Sequence, residues 1–324
     1  MRTRYSALLG ILLFGDALAA QQRSTVPSTA ASQVTVTYLG TAGWMISDER
    51  TVILLDPYLS RLRRADSEAE AQEFRTRADD SRPVFGPDDV LVSDTAVIDA
   101  HIRRADFILV HHSHSDHLMD VPYIARKTGA TVIGTESTTN AVRAYGIQAR
   151  QLITVQGGED YEFGTFSVRV IPSLHSPLDG KNYFDSRVIP RTVKAPLSNK
   201  EYVEGRSLAY LIRLGGHEIL TFGGMNYIER EIQGLRPDVV VLGAAPSHIE
   251  IHDYAGRIMR ALGSPALVLP THWDNHSLPL VDGRATQERL ARVATFADEI
   301  RAASPGTRVM VPKYFDPIVL PARR

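Results

Sequence analysis

A dense group of histidine and carboxylate side chains is the part of this sequence best suited to chemistry. His112, His114, Asp116 and His117 lie within six residues, directly after the apolar run 107–110. This run predicts a buried strand, and residues two apart on the extended backbone just past it face the same way. We therefore expect His112, His114 and Asp116 to converge, with His117 turned toward a neighbouring position. Clustered imidazole and carboxylate groups are typical ligands of zinc and other borderline divalent metals.

The cluster resembles the HxHxDH signature of the metallo-β-lactamase superfamily, and further landmarks follow in the family's order. A Gly-Thr-Ala-Gly segment at 40–43 and Asp56 at a strand end precede it, and His175 and His272 follow later strands. The resemblance extends from about residue 34 to near the C-terminus. It implies an α/β fold, the four-layer αββα sandwich, which also fits the mixture of predicted strands and helices in both halves of the chain.

By this resemblance, three histidines would bind a first metal, and a carboxylate with two histidines would bind a second. The two ligand sets are His112, His114 and His175, and Asp116, His117 and His272. The implied cofactor is one or two zinc ions or another divalent metal, which lowers the pKa of bound water to near neutrality. Asp116 would also act as a catalytic residue by orienting the attacking water. Asp56 would either orient a ligand histidine or serve only as a structural residue at the end of its strand.

One landmark of the family is absent. Members usually carry a Gly-Asp pair after a strand, and its Asp bridges the two metals, but here the strand at 217–222 is followed by Gly223 and Gly224. Gly224 has no side chain that can coordinate, and the chain has no cysteine to replace it. Asn226 and Asp274 are the nearby residues that would supply an oxygen. A rearranged two-metal site, a one-metal site and a decayed site all fit this sequence.

The bulk composition is typical of a soluble globular protein, and the resemblance to the family implies a small-molecule substrate. The chain has 324 residues, of which 44% are hydrophobic and 23% are charged, and its formal net charge is −1. This charge gives no electrostatic case for nucleic-acid binding. The composition does not address the oligomeric state.

The N-terminus predicts export. Arg2 and Arg4 precede the apolar run 7–14, which is too short to span a bilayer, and small residues follow it. We expect residues 1–20 to be a signal peptide and residues 21–33 a flexible linker, which leaves one domain at 34–324. The mature protein would be periplasmic or secreted without a stable membrane span, and an uncleaved anchor is the alternative.

The remaining pattern predicts the elements that position the cluster. Residues 34–55 read as a strand meander, and insertions are expected near 58–105 and 176–206. Within the first, residues 61–82 read as a solvated helix or loop. Further predicted strands lie at 132–133, 161–171, 208–222, 239–242 and 267–269, and predicted helices at 118–127, 137–145, 252–262 and 286–303.

Two segments have open roles. The long loop 176–206 follows His175 and is either a lid, whose Tyr183, Phe184 and Tyr202 contact an apolar substrate, or a loop that these aromatics merely pack down. His248 and His252 lie four apart and would share a helix face. They would then line the pocket, with His252 in contact with substrate, or they would cap a helix or lie at the surface.

The function predicted from these features is that of an exported metal-dependent hydrolase. The opening at 40–57 and the single-domain length resemble the lactonase-like and phospholipase-D-like branch of the superfamily. Hydroxide at a metal cleaves esters, lactones, amides and phosphodiesters, so the fold does not select the bond. The alternative is a catalytically impaired metal- or ligand-binding protein of the same fold, which Gly224 supports.

Overall fold

Two seven-stranded sheets dominate the computed structural model, which describes residues 33–77 and 80–323. The predicted signal peptide lies outside the described residues, as does the linker except Gln33. The strands are β1 (Thr35–Gly40), β2 (Gly43–Ser47), β3 (Val52–Leu55), β4 (Arg63–Arg64), β5 (Val84–Phe85), β6 (Phe107–Leu109), β7 (Thr131–Gly134), β8 (Leu152–Thr154), β9 (Asp160–Glu162), β10 (Phe166–Pro172), β11 (Leu208–Leu214), β12 (His217–Phe222), β13 (Val239–Gly243), β14 (Leu267–Thr271), β15 (Arg308–Val309) and β16 (Pro317–Val319).

The helices cover both sheets and the loops between strands. They are α1 (Glu68–Thr76), α2 (Thr95–His101), α3 (Ser115–Leu118), α4 (Val121–Thr128), α5 (Glu136–Ala144), α6 (Glu229–Ile232), α7 (Tyr254–Leu262), α8 (Arg284–Gln287) and α9 (Leu290–Ala303). Within the described ranges, no helix is both long and apolar enough to cross a membrane.

Each of the two sheets contains a group of adjacent parallel strands. The first sheet runs β16-β1-β2-β3-β6-β7-β8, and the second runs β15-β14-β13-β12-β11-β10-β9. The neighbours β3, β6 and β7 are parallel, as are β12, β13 and β14. Parallel strands end at the same edge of a sheet, so the segments that follow them are brought together there.

Alternating side chains of β3 show how the layers form. Ile53 and Leu55 belong to the core shared with the second sheet, while Leu54 faces a second core shared with α2, α4 and α5. Successive side chains of a strand point to opposite faces, so β3, which is buried on both faces, contributes alternately to the two cores. Burial of a Leu or Ile side chain stabilises the fold by about 1.5–3 kcal/mol. The mixed α/β sandwich expected from the sequence is therefore confirmed.

The metal-motif backbone differs from the sequence prediction. We expected an extended run through Asp116, but the extended backbone ends at His114, which precedes the short helix α3. Asp116 and His117 consequently project from a helical turn. Helix α5 also begins before the predicted start at residue 137. Thr135, and not Ser137, caps it, and the Thr135 side chain accepts a hydrogen bond from the backbone N–H of Thr138.

The first insertion is only partly solvated. Helix α1 is exposed along most of its length and begins at Ser67, whose side chain accepts from Glu70 N. Arg61 and Arg63, in contrast, are buried, with 1% and 7% of their surface exposed. The prediction that residues 61–82 are solvated is therefore wrong for Arg61 and Arg63, because acceptors inside the protein bind their guanidinium groups.

The later helices also begin or break differently from the prediction. His248 lies in a 3₁₀ turn (Pro246–Glu250), and α7 begins only at Tyr254, so His248 and His252 do not share a helix face. The predicted helix at 286–303 is divided into α8 and α9. The loop 176–206 contains two short 3₁₀ turns, at Asp179–Lys181 and Asn199–Glu201, among its described residues.

Candidate metal centre

Three imidazoles from two loops form the first ligand group. His112 and His114 follow β6 and His175 follows β10, and one ligand atom from each lies within 4.8 Å of the others. Their ring centroids are 4.8 Å apart in every pair, with the rings nearly perpendicular. Nε2 of His112 lies 3.1 Å from Nδ1 of His114. This arrangement points several ring nitrogens at one small volume.

The outer nitrogens of two of these rings have protein partners. Nδ1 of His175 lies 3.1 Å from the carbonyl oxygen of Ser176, and Nε2 of His114 lies 3.2 Å from the hydroxyl of Tyr183. A histidine that donates from its outer nitrogen presents the lone pair of its inner nitrogen. These contacts therefore set both rings in the orientation and tautomer that a metal requires.

Burial keeps the first group unprotonated. It lowers the pKa of His175 to about 3 and that of His114 to about 4, and it holds the pKa of His112 well below its usual range. Neighbouring imidazoles reinforce the effect on each ring. Three neutral imidazoles with converging lone pairs fit a borderline divalent ion by geometry and by donor chemistry.

Asp116, His117 and His272 form the second group, with ligand atoms also within 4.8 Å of one another. The Oδ2 atom of Asp116 lies 3.3 Å from Nε2 of His272 and 3.6 Å from Nε2 of His117. Burial would raise the pKa of Asp116, but the charges of His117 and Arg64 and the hydrogen bond from His272 outweigh it and hold the pKa well below its usual range. The carboxylate is thus ionised and suited to a cation.

Asp56 connects the second ligand group to residues of the protein interior through hydrogen bonds. Its Oδ2 atom lies 2.6 Å from Nδ1 of His117 and 2.7 Å from Nδ1 of His111, and its Oδ1 accepts from the backbone N–H of His111. Nε2 of His111 lies 3.0 Å from the hydroxyl of Thr221 on β12. Burial alone would raise the pKa of Asp56, but the two imidazoles hold it at about 2. The carboxylate therefore orients His117 and reaches the second sheet through His111.

The hydroxyl of Ser176 lies close to the position of the missing carboxylate. Gly224 does not have the positive φ that would require glycine, and a β-carbon added there would lie 3.0 Å from Oγ of Ser176. That hydroxyl accepts a hydrogen bond from Met225 N at 3.1 Å. Gly223 is more constrained, because a β-carbon at 223 would lie 2.4 Å from Cβ of His111. The site is therefore closely packed where the family's bridging residue stands.

Neither residue considered as a replacement oxygen donor is free for that role. Asp274 lines the cavity, but it binds Nη2 of Arg61 at 2.7 Å and accepts from the hydroxyls of Tyr38 and Tyr314. The Oδ1 atom of Asn226 accepts from Tyr227 N at 3.0 Å, and Asn226 is not among the residues that line the cavity.

Backbone strain accompanies the ligand loops. Thr41, Asp56 and His272 have φ values of 55°, 36° and 55°, in the left-handed region that non-glycine residues seldom occupy. The backbone N–H of His272 donates to the carbonyl of Thr41 at 2.6 Å, and Thr41 N donates to Asp274. The Gly-Thr-Ala-Gly segment thus holds the last ligand in place through its backbone.

A cavity of 670 Å³ opens over both ligand groups. Its wall includes Arg64, Tyr183, Met225, Trp273 and His276. His276 contacts the ring of His272, with centroids 5.5 Å apart, and burial lowers its pKa to about 3. The cavity therefore combines the two candidate ligand groups with the aromatic rings of Tyr183 and Trp273 and the cationic Arg64.

Some sequence expectations for the cavity differ from the structure. His252 is exposed and does not line the cavity, so the substrate-contact alternative does not fit. In the loop 176–206, Tyr183 stacks near His175 with centroids 4.2 Å apart, Phe184 is exposed, and Tyr202 is buried against Tyr145. The aromatics of this loop therefore divide between a ligand contact, the surface and packing.

Three residues outside the predicted ligand groups contribute to the site, and sequence reasoning gave two of them, His111 and Arg64, no role in it. His111 binds Asp56, Tyr183 binds His114, and Arg64 lines the cavity beside Asp116. His111 stands directly before the motif, but its place in the sequence does not identify Asp56 as its partner. Arg64 lay within a run of mixed charge, which carries no signal for an individual arginine.

Comparisons with known proteins agree on a family. A family model described as a beta-lactamase superfamily domain matches residues 35–272. A curated protein of Carboxydothermus hydrogenoformans, named a metal-dependent hydrolase, is 23% identical over 279 residues, which cover 86% of this chain and 96% of that protein.

Solved structures share the fold at low sequence identity. A metallo hydrolase from Ignicoccus hospitalis is 15% identical, has a TM-score of 0.54, and is matched over 90% of this chain and 100% of its own. CmlA, a diiron beta-hydroxylase from Streptomyces venezuelae, is 16% identical with a TM-score of 0.54, over 89% of this chain and 54% of its own. These likenesses show the fold, which serves more than one chemistry.

Proposed function

Because this chain belongs to the beta-lactamase superfamily, we propose that it is a metal-dependent hydrolase that cleaves an ester, lactone, amide or phosphodiester bond in a small molecule. The observation that carries the proposal is the pair of three-residue ligand groups on one wall of the cavity. We propose zinc as the metal, because imidazole-rich groups with one carboxylate suit it.

The two candidate ligand groups would each bind one metal ion. His112, His114 and His175 would hold one ion, and Asp116, His117 and His272 a second. A divalent ion bound there lowers the pKa of water to near neutrality and polarises a carbonyl or phosphoryl oxygen. The ionised Asp116 faces the same cavity and can accept a hydrogen bond from the attacking water, which orients it toward the substrate.

The cavity lining favours substrates with an apolar portion. Met225 and Trp273 are almost fully buried in the wall, and Tyr183 is half-buried across the ligand histidines. Burial, followed by nearby acidic groups, raises the pKa of Tyr183, so its hydroxyl stays protonated at neutral pH. The side chain therefore acts as a hydrogen-bonding partner of His114 and as an apolar wall, and not as a base.

The test combines metal analysis with a substrate panel. Protein purified without chelator should contain at least one divalent ion per chain and hydrolyse at least one member of an ester, lactone, phosphodiester and β-lactam panel. Removal of the ion should abolish turnover, and zinc should restore it. A protein that binds the ion but turns over none of the panel would favour the catalytically impaired alternative that Gly224 raises.

A further inference from the structure

Three arginines open the first insertion, and two of them are committed to the protein interior. Arg61 donates to Asp274 at 2.7 Å. Arg63 donates to the carbonyl oxygens of Asp80 and Phe74, both at 2.6 Å. Each of these guanidinium groups has acceptors at hydrogen-bond distance, so each fastens the insertion to the domain.

Arg64 differs from both. It lines the cavity, and its side chain is 13% exposed. Its Nε atom, like that of Arg61, is buried without a hydrogen-bond partner among the described residues, but Arg64 has no carboxylate of these residues within hydrogen-bond distance as Arg61 has. Its contact with Asp116, 3.6 Å from Nη2 to Oδ1, is longer than a hydrogen bond. The guanidinium carbon also lies 5.9 Å from the centre of the Tyr58 ring. A nearly buried cation whose donors are not all used is costly unless a further acceptor binds it.

The two oxygens of Asp116 separate Arg64 from the ligand groups. Oδ2 makes the contacts with His117 and His272, whereas Oδ1 makes the contact with Arg64. Coordination through Oδ2 would therefore leave the guanidinium in place on the other side of the carboxylate. Arg64 stands beside the candidate centre, with its charge toward the same cavity.

The other charges around the cavity bear on the kind of ligand that fits. Arg187 pairs with Asp185 and Lys200 pairs with Asp88, so these cations already have carboxylate partners. Asp66 also lines the cavity, and Oδ1 of Asp116 lies 3.6 Å from Nη2 of Arg64. With acidic groups on two sides, the surroundings suit a monoanion better than a doubly charged phosphate.

We propose that Arg64 binds a carboxylate carried by the substrate, beside the bond that is cleaved. This inference rests on the proposed hydrolase function and narrows it to carboxylate-bearing substrates. A guanidinium fork matches the planar carboxylate with two parallel hydrogen bonds. An anchor next to the ligand groups holds the reacting carbonyl in one position over the centre.

The experiment compares two esters on the metal-loaded protein. The esters are mono-p-nitrophenyl succinate, which carries a carboxylate, and p-nitrophenyl butyrate, which does not. We expect kcat/KM to favour the succinate, and we expect Arg64→Met to reduce the ratio between the two esters by about 10- to 100-fold, as loss of a charged hydrogen bond predicts. Arg187→Met, which removes an arginine of the cavity wall that is already paired with Asp185, should leave the ratio unchanged.

Two further readouts separate substrate binding from support of Asp116. Metal content of Arg64→Met should equal that of the unmodified protein, because Arg64 contacts Oδ1 and not Oδ2. Calorimetric titration of the metal-loaded protein with succinamate and with butyramide should show a preference for succinamate that Arg64→Met removes. If the Met variant folds poorly, Arg64→Lys replaces it in the experiment. Lysine keeps the charge but lacks the two parallel donors of the guanidinium, so this variant should retain part of the preference for succinamate.

Several results would overturn the inference. An equal loss on both esters together with a loss of metal would make Arg64 a support of Asp116 instead. Equal effects of the Arg64 and Arg187 variants would assign the preference to the general electrostatic field of the cavity. If neither ester is hydrolysed, the proposed function fails on these substrates, while the titrations with succinamate and butyramide still decide whether Arg64 binds a carboxylate.

Discussion

Replacing Asp56 with asparagine tests how the second ligand group is organised. One carboxylate oxygen accepts from both His111 and His117, at 2.7 and 2.6 Å. Asparagine keeps the size of the side chain and tolerates the positive φ at this position, which is 36°. It offers one oxygen and one NH₂ group, so at least one contact that the carboxylate accepts is lost.

The expected effect follows from the tautomer of His117. If the amide NH₂ faces Nδ1 of His117, that nitrogen must accept, and the ring proton moves to Nε2. Nε2 is the atom that faces Asp116 and the proposed ion. Loss of such an orienting partner typically lowers metal affinity 10- to 100-fold, which corresponds to about 1.4–2.8 kcal/mol. The weakened hydrogen bonds should also lower the free energy of unfolding by roughly 1–3 kcal/mol.

A second buried Asp–His pair provides a matched control. Asp238 lies 2.5 Å from Nδ1 of His217 and accepts from Glu218 N at 2.6 Å, and it does not line the cavity. Asp238→Asn should therefore lower stability without changing metal affinity. Competitive titration with a chromophoric chelator measures the affinity, and urea unfolding of the metal-free proteins measures the stability.

The comparison can contradict the reasoning in two ways. Unchanged affinity of both ions in a folded Asp56→Asn protein would show that the carboxylate does not set the orientation of His117. Equal loss of affinity in the Asp56 and Asp238 variants would show that general destabilisation, and not the tautomer, controls binding of the ion.

Three other outcomes are expected. Joint replacement of His112 and His114 by alanine should remove the first ion, and full metal content in that variant would refute the ligand assignment. Gly224→Asp should raise occupancy of the second position, because φ permits a side chain and Oγ of Ser176 need shift only slightly; two ions of equal affinity in the unmodified protein would contradict this. The first ion should be retained down to about pH 4 or lower, because its histidines have lowered pKa values. The second should be lost at higher pH, because the bond to Asp116 outweighs burial and raises the pKa of His272, so that protons compete for it sooner. Metal content measured across a pH series would show the reverse order of release if this assignment is wrong.

Periodicity predicted much of the fold. The meander of β1 to β3, the hairpin strands and the buried parallel strands have the alternation or apolar density that identifies strands from local sequence. Helix boundaries were less predictable, as α5 shows. Ser137 and Thr135 are both suitable capping residues, and tertiary packing selected Thr135.

The candidate ligands could be named from the sequence because their order resembles a known family, although 160 residues separate His112 from His272. The residues that surround these candidate ligands could not be predicted from the sequence. The bond from Tyr183 to His114 depends on how a long loop folds back. The exposure of His252 depends on where α7 begins. No local pattern distinguishes the buried Arg61 from the exposed charges of α1, because the partner of Arg61 is Asp274, more than 200 residues later.

The left-handed backbone at Thr41, Asp56 and His272 has a consequence for how this protein can change. Each such conformation costs of the order of 1–3 kcal/mol and persists only because surrounding contacts enforce it. Selection for heat resistance alone would therefore favour substitutions that relax these turns. Those substitutions would displace the last ligand or the carboxylate that orients His117. Thermostable variants found without an activity screen should accordingly be enriched in proteins that no longer bind the ion, a trade-off between stability and activity located at these three residues.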